Sequence, residues 1–300
     1  MLFAWSVRRC SNSRVSNFRP HASLIAACLL AVAWSNSAAE DGSEVVDPEL
    51  SPLTRTLSVG VAAGIMRFDS NFKFTDTGTG RSVFIDSEGT FGLPEQKTIP
   101  VIYGSWRPSQ KHGLGFNYFS VRRDSEFIAF DENLGDLNLT GFARLQDDSR
   151  FYGATYNYTL LQDDRALVTA TVGINVIDLE YRFDASGTIS IGDVPIESGE
   201  YVETISQIAP LPTIGIDTSF VLTPKWAFGA RAAFVAGDVS DVKAVITEAS
   251  IRAKYTFNRN FGLLFGLRYF DADIDISRSG RLDEINYGLD GLFIGIDVGY

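Results

Sequence analysis

The chain has 300 residues, 45% of them hydrophobic, and a formal net charge of −11. Such acidity argues against nucleic acid as a partner, since phosphate is held by Lys and Arg. No stretch beyond residue 40 approaches the ~20 apolar residues of a membrane-crossing helix, so a spanning chain would have to cross as a closed barrel.

Residues 1–39 stand apart. They hold Arg8, Arg9, Arg14 and Arg19 with no acid, then an apolar run from Ala22 to Trp34, then Ser37 and Ala39 before Glu40. A basic start, a short apolar run and small residues at the cut describe a cleavable signal peptide. Two alternatives are an uncleaved anchor, for which the run is short, and a lipoprotein signal at Ile25-Ala26-Ala27-Cys28. Cleavage leaves 22 basic and 37 acidic residues, a net charge of −15. It also removes Cys10, Cys28 and His21, which excludes disulfide and thiolate chemistry and leaves His112 as the one histidine.

Residues 40–55 are acidic, contain proline and show no period, as a flexible tail would. From Leu57 onward the pattern alternates with period two and predicts strands with unlike faces. The first strand, about 57–68, reads Leu57, Val59, Val61, Ala63 and Ile65, then meets Arg67. Short polar turns fall at 108–112, 162–165, 223–225 and 258–260. Between them run Leu160, Tyr158, Tyr156, Ala154 and Tyr152, then Arg150; and Ala166 to Val176 by alternate residues, then Asp178. Trp226 to Ala236 follows in the same way, then Asp238; and Phe261 to Tyr269, then Asp271. The last strand, about 284–300, reads back from Tyr300 through Val298, Ile296, Ile294 and Leu292 to Asp290. Each apolar series lasts about five or six alternate positions, enough for the nine to eleven tilted residues that cross a bilayer. Aromatics gather beside the short turns, as an interfacial girdle would. The remaining connections, such as 70–95 and 184–200, are longer and rich in Asp, Ser and Gly, and predict loops at the other end. The count is ten antiparallel strands, with eight or twelve as alternatives.

The opposite faces carry glycine and charge. Arg231, Arg252, Lys254 and Arg268 share the inner face with Asp217 and Asp297, and a narrow interior would require these charges to pair or hold water. Cations outnumber anions in this set, so other acids or water must complete it. A soluble barrel or sandwich would reverse these faces, with charge outside and apolar residues within.

The chain ends Gly-Leu-Phe-Ile-Gly-Ile-Asp-Val-Gly-Tyr, with Leu292, Ile294, Ile296, Val298 and Tyr300 at alternate positions. This resembles the C-terminal assembly signal of Gram-negative outer-membrane proteins. Residues 56–300 as a whole look like the small OmpA/OmpX-like barrel superfamily, with Tyr300 where that family favours phenylalanine. The resemblance implies export to the outer membrane, contact with its lipid and lipopolysaccharide, and insertion by the barrel assembly machinery. It names no ligand, and the oligomeric state stays open. In this bacterial setting the sequons at Asn138 and Asn157 are chance matches.

Some barrels of this size are hydrolases or acyltransferases, whose chemistry generally uses a histidine near the outer leaflet. His112 lies instead in a predicted short turn. Asp271, Asp273 and Asp275 could meet a divalent cation near lipopolysaccharide, but a hydrated strand extension is the preferred explanation. No metal or cofactor motif occurs. The expected function is non-enzymatic, structural or surface-interacting; a narrow channel is the main alternative and a membrane-embedded hydrolase or acyltransferase a lesser one.

Overall fold

The computed structural model describes residues 53, 55–78, 80, 82–126, 128–134, 137–191, 194–239 and 241–300. The expected signal peptide, and all of the expected tail except Leu53 and Arg55, lie outside them.

The strands are β1 (Leu57–Asp76), β2 (Ser82–Asp86), β3 (Gln96–Trp106), β4 (His112–Asp124), β5 (Ile128–Leu134) and β6 (Leu137–Gln162). They continue as β7 (Ala166–Ile191), β8 (Val194–Thr223), β9 (Trp226–Val239), β10 (Val242–Thr256), β11 (Phe261–Arg278) and β12 (Arg281–Gly299). One short helix, α1 (Ser87–Phe91), separates β2 from β3. Every pairing is antiparallel, and β12 returns to β1 over the register Ser58↔Gly299 to Asp76↔Arg281. Among the described residues, ten strands form this ring, because β2 pairs only with β1 and β5 only with β6. Closure leaves no open edge in the part that meets lipid. The seam ends at Tyr300, whose carbonyl accepts from the Thr56 and Leu57 amides at 2.8 and 3.0 Å.

Two positions in the ring are broken rather than continuous. Along β1, the partner is β3 at Leu57–Arg67 and β2 at Asn71–Thr75, with α1 between them. Asp86 caps α1 by accepting from the Gly89 amide at 2.8 Å, and Gly92 ends it at a φ of 64°, where a side chain would be strained. Along β6, the partner is β4 and then β5.

The ring also divides. Strands β3 and β4 pair only between Val101↔Phe119 and the short-turn end, and β8 and β9 only from Thr213↔Val235 to that end. Beyond these points two sheets face each other. One is β6 to β8 with β5 and the end of β4; the other is β9 to β12 with β1, β2 and the start of β3. The molecule is therefore a barrel at its short-turn end and a two-sheet sandwich at the other.

Strand β11 shows both halves without a change of phase. Its outward residues are Phe261, Leu263, Phe265, Leu267 and Tyr269, then Asp271, Asp273 and Asp275. Its inward residues are Gly262, Leu264, Gly266 and Arg268, then Phe270, Ala272, Ile274 and Ile276, the last four buried. The lower face is apolar outside, as lipid requires; the upper face is apolar inside, as water requires. A charged collar divides them on the outside, where Arg67 pairs with Asp290 at 3.1 Å and Arg150 with Asp178 at 3.5 Å. Beside the short turns, Trp226, Tyr255, Phe257 and Phe261 form a chain of ring contacts with centroids 5.0–5.5 Å apart. No helix among the described residues is long and apolar enough to cross a membrane.

The four short turns lie where the alternation ends. The expected loops differ. Much of 70–95 and of 184–200 is strand, since β1 runs to Asp76, β7 to Ile191, and β8 starts at Val194. Outward Asp, Ser and Gly resemble loop composition, but neighbouring long strands satisfy the backbone and the inward residues pack.

Candidate functional site in the barrel interior

The lower interior encloses a cavity of about 360 Å³. Its lining extends from Arg107 and Thr159 near the short turns to Met66 and Arg268 under the apolar core. The pleat sends alternate residues of every strand into it, which is why glycines share this face with charges. A Cβ at Gly229 would lie 2.9 Å from Arg252 Nε, and one at Gly299 would lie 2.6 Å from Arg55 Cδ. Both glycines make room for an arginine.

The structure groups the expected lumen charges into pairs. Arg252 donates to Asp217, and Lys254 to Asp297. Asp297 also accepts from Arg55 Nη1 and Ser58 Oγ, each at 2.6 Å. Arg268 pairs with Glu248 at 3.2 Å and lies 4.3 Å from the Phe119 ring centroid. Arg231 stands opposite Asp217 in the ladder, but Asp217 is taken by Arg252, and no ion pair joins Arg231 to a carboxylate among the described residues. Its Nε is buried without a hydrogen-bond partner, as is Arg268 Nε.

Two members were absent from the sequence expectation. Glu248 lies in phase with Arg252 and Lys254 on β10, so the alternation alone could have included it. Arg55 precedes the first strand, and only the fold turns it back to Asp297. Nearby, Leu53 packs with Val221, Ala227 and Leu167, and its carbonyl accepts from Arg107 Nη1 at 2.6 Å.

A second polar cluster lies higher, inside the apolar sandwich. Arg123, fully buried, gives Nε and Nη2 to Asp147 at 3.0 and 2.9 Å and Nη2 to Ser70 Oγ at 2.9 Å; its Nη1 donates to Glu88 of α1. Ser70 returns two bonds to Glu88, from N at 2.9 Å and Oγ at 2.7 Å. Burial raises the Asp147 carboxyl above its ordinary range, against Arg123 and the Ser149 and Tyr287 hydroxyls, which act to lower it. The Arg123 guanidinium is 4.4 Å from the Phe68 ring centroid. Stacked Phe119 and Phe151, 4.4 Å apart, with Phe270 edge-on to both, fill the level between this cluster and Arg268. Around them the apolar core is continuous, from Met66 and Ile99 to Ile274 and Leu289. The interior is thus a polar cup closed on one side by a packed core.

His112 stands at the start of β4 beside a short turn, exposed, with Nδ1 2.5 Å from the Tyr156 hydroxyl. It lies outside both clusters. The residues expected to form an assembly signal, Leu292, Ile294, Ile296 and Val298, are exposed along the outer face of β12, and Tyr300 follows β12. Asp271, Asp273 and Asp275 face outward above the apolar band, and Asn286 donates to Asp273.

No protein-family model matches the sequence, and no curated protein matches it significantly. Solved structures do match. The outer-membrane protease OmpT of Escherichia coli superimposes with a TM-score of 0.54 at 12% identity, covering 87% of this chain and 99% of that one. OprG of Pseudomonas aeruginosa gives 0.36 at 9% identity, over 82% and 97% of the two chains. Ail of Yersinia pestis gives 0.28 at 8%, over 81% and 98%. At such identity the likeness to OmpT concerns the fold alone. It agrees with what the apolar band and its girdle require. In fold, the chain is a closed antiparallel β-barrel similar to that of this outer-membrane protease.

Proposed function

We propose that the protein is a non-enzymatic outer-membrane barrel with a structural or surface-interaction role, and that it does not conduct solutes. The observation that carries this reading is the apolar core above the cup. Side chains from both sheets fill that level, and an ion crossing it would lose its hydration without compensation. A planar-bilayer recording of refolded protein tests it. The expected trace is flat; large, stable, ion-selective steps would replace this reading with the channel.

The projecting sheet supports the surface role. Strand β8 pairs with β9 only from Thr213, so Val194–Pro212 has β7 on one side and no strand on the other among the described residues. Such an edge is a template for strand addition, moderated by Pro210 and Pro212. A hydrolase reading would need a general base near the outer leaflet, and His112 is at the opposite end.

Export follows from the same reading. The mature chain begins near Glu40 after signal cleavage, contacts lipid and lipopolysaccharide through its outer face, and is inserted by the barrel assembly machinery through the Leu292 to Tyr300 signal. Amino-terminal sequencing of outer-membrane material checks the first point; a start at Met1 would overturn it.

A further inference from the structure

The cup has a surplus of positive charge that its own residues do not neutralise. Six basic side chains line it against three carboxylates. Arg55 and Lys254 share Asp297, Arg107 donates only to uncharged oxygens, and Arg231 has no carboxylate among the described residues, while its neighbour Arg268 is matched by Glu248. In the ladder Ser250 lies directly between Arg231 on β9 and Arg268 on β11, and all three line the cavity. Arg268 is more than nine-tenths buried, and both arginines have a buried Nε without a hydrogen-bond partner. Unmet donors on a buried cation are costly, so the site favours an occupant that accepts from them.

We propose that the cup is a binding site for a small phosphate or phosphate-like oxyanion, held between Arg231 and Arg268 over Ser250. A guanidinium offers its donors as a planar fork that matches two oxygens of such an anion, and two forks flanking a hydroxyl suit a tetrahedral group. The barrel wall separates the site from lipid headgroups, and the apolar core closes it above. The ligand is therefore a soluble solute that enters from the short-turn end, the periplasmic side in barrels of this class. A volume of about 360 Å³ exceeds what inorganic phosphate needs, so a phosphate ester of modest size also fits.

The test is calorimetric titration of refolded full-length barrel with inorganic phosphate, against chloride at matched ionic strength. Saturable binding is expected with phosphate and not with chloride, and Arg231→Gln should weaken it at least tenfold. Heat-shift on gels shows whether that variant folds. Ser250→Asp is the second variant, because it places a carboxylate of the chain's own between the two arginines. It should raise the melting temperature and abolish phosphate binding. Phosphate heats no different from chloride would overturn the proposal, as would wild-type phosphate binding in Ser250→Asp. The bilayer recording examines the apolar core, not the cup, so either result can fail alone.

Discussion

The two ends of this molecule obey opposite solvents with one strand pattern. At the short-turn end the outer face meets lipid and the inner face holds ion pairs and space. At the other end the outer face meets water and the inner face is a packed core. Strand β11 passes from one regime to the other between Tyr269 and Asp271 with no bulge, because only the residue types exchange faces. The polarity of a face thus states what surrounds it at that height and does not describe the whole strand. The ring can split in the upper half because water satisfies free edges there, and lipid would not.

The sharpest way to break this comparison is at the buried cation of the upper half. Arg123→Ala leaves Asp147 and Glu88 buried without their partner, and should cost about 3–5 kcal/mol in urea unfolding of the folded barrel. A loss near zero would mean that water enters the sandwich. Next, Ile274→Ala removes packing from the same core and should cost about 2–5 kcal/mol, with the bilayer trace still flat. Sustained current in that variant would show that the core is a gate. In the lower half, Leu267→Arg puts a charge on the lipid face and should cost about 2–4 kcal/mol, read as loss of the heat-shifted folded band. Asp273→Ser, further along the same outward row, should change stability by less than ~0.5 kcal/mol. If Leu267→Arg and Asp273→Ser were equally tolerated, the apolar band would be misplaced. Gly295 would be a poor neutral control despite facing inward, since a Cβ there would lie 2.5 Å from the Val61 carbonyl oxygen.

Much of the lower half was legible. The apolar series from Leu57 and back from Tyr300, the turns at 108–112 and 258–260, and the inward set from Asp217 to Asp297 all follow from a period of two and from what hydrocarbon tolerates. The upper half was not. Phe72, Tyr181 and Ile205 alternate with polar residues there as well, but Asp, Ser and Gly on the water-facing side resemble loop composition. The Arg123 cluster was hidden for another reason. Arg123 lies on β4 and its partners come from β1, α1, β6 and β12, and no local spacing joins Glu88 to Asp147.

By itself the sequence determined that this chain builds a closed antiparallel barrel with an apolar exterior band, because each strand must solve the same local problem in lipid. Only the tertiary structure decided where the barrel ends and the sandwich begins, which carboxylate each lumen cation meets, and that Arg231 meets none among the described residues. Those outcomes depend on the stagger between strands and on where two seams open. Stagger is a property of the closed ring, and no single strand encodes it.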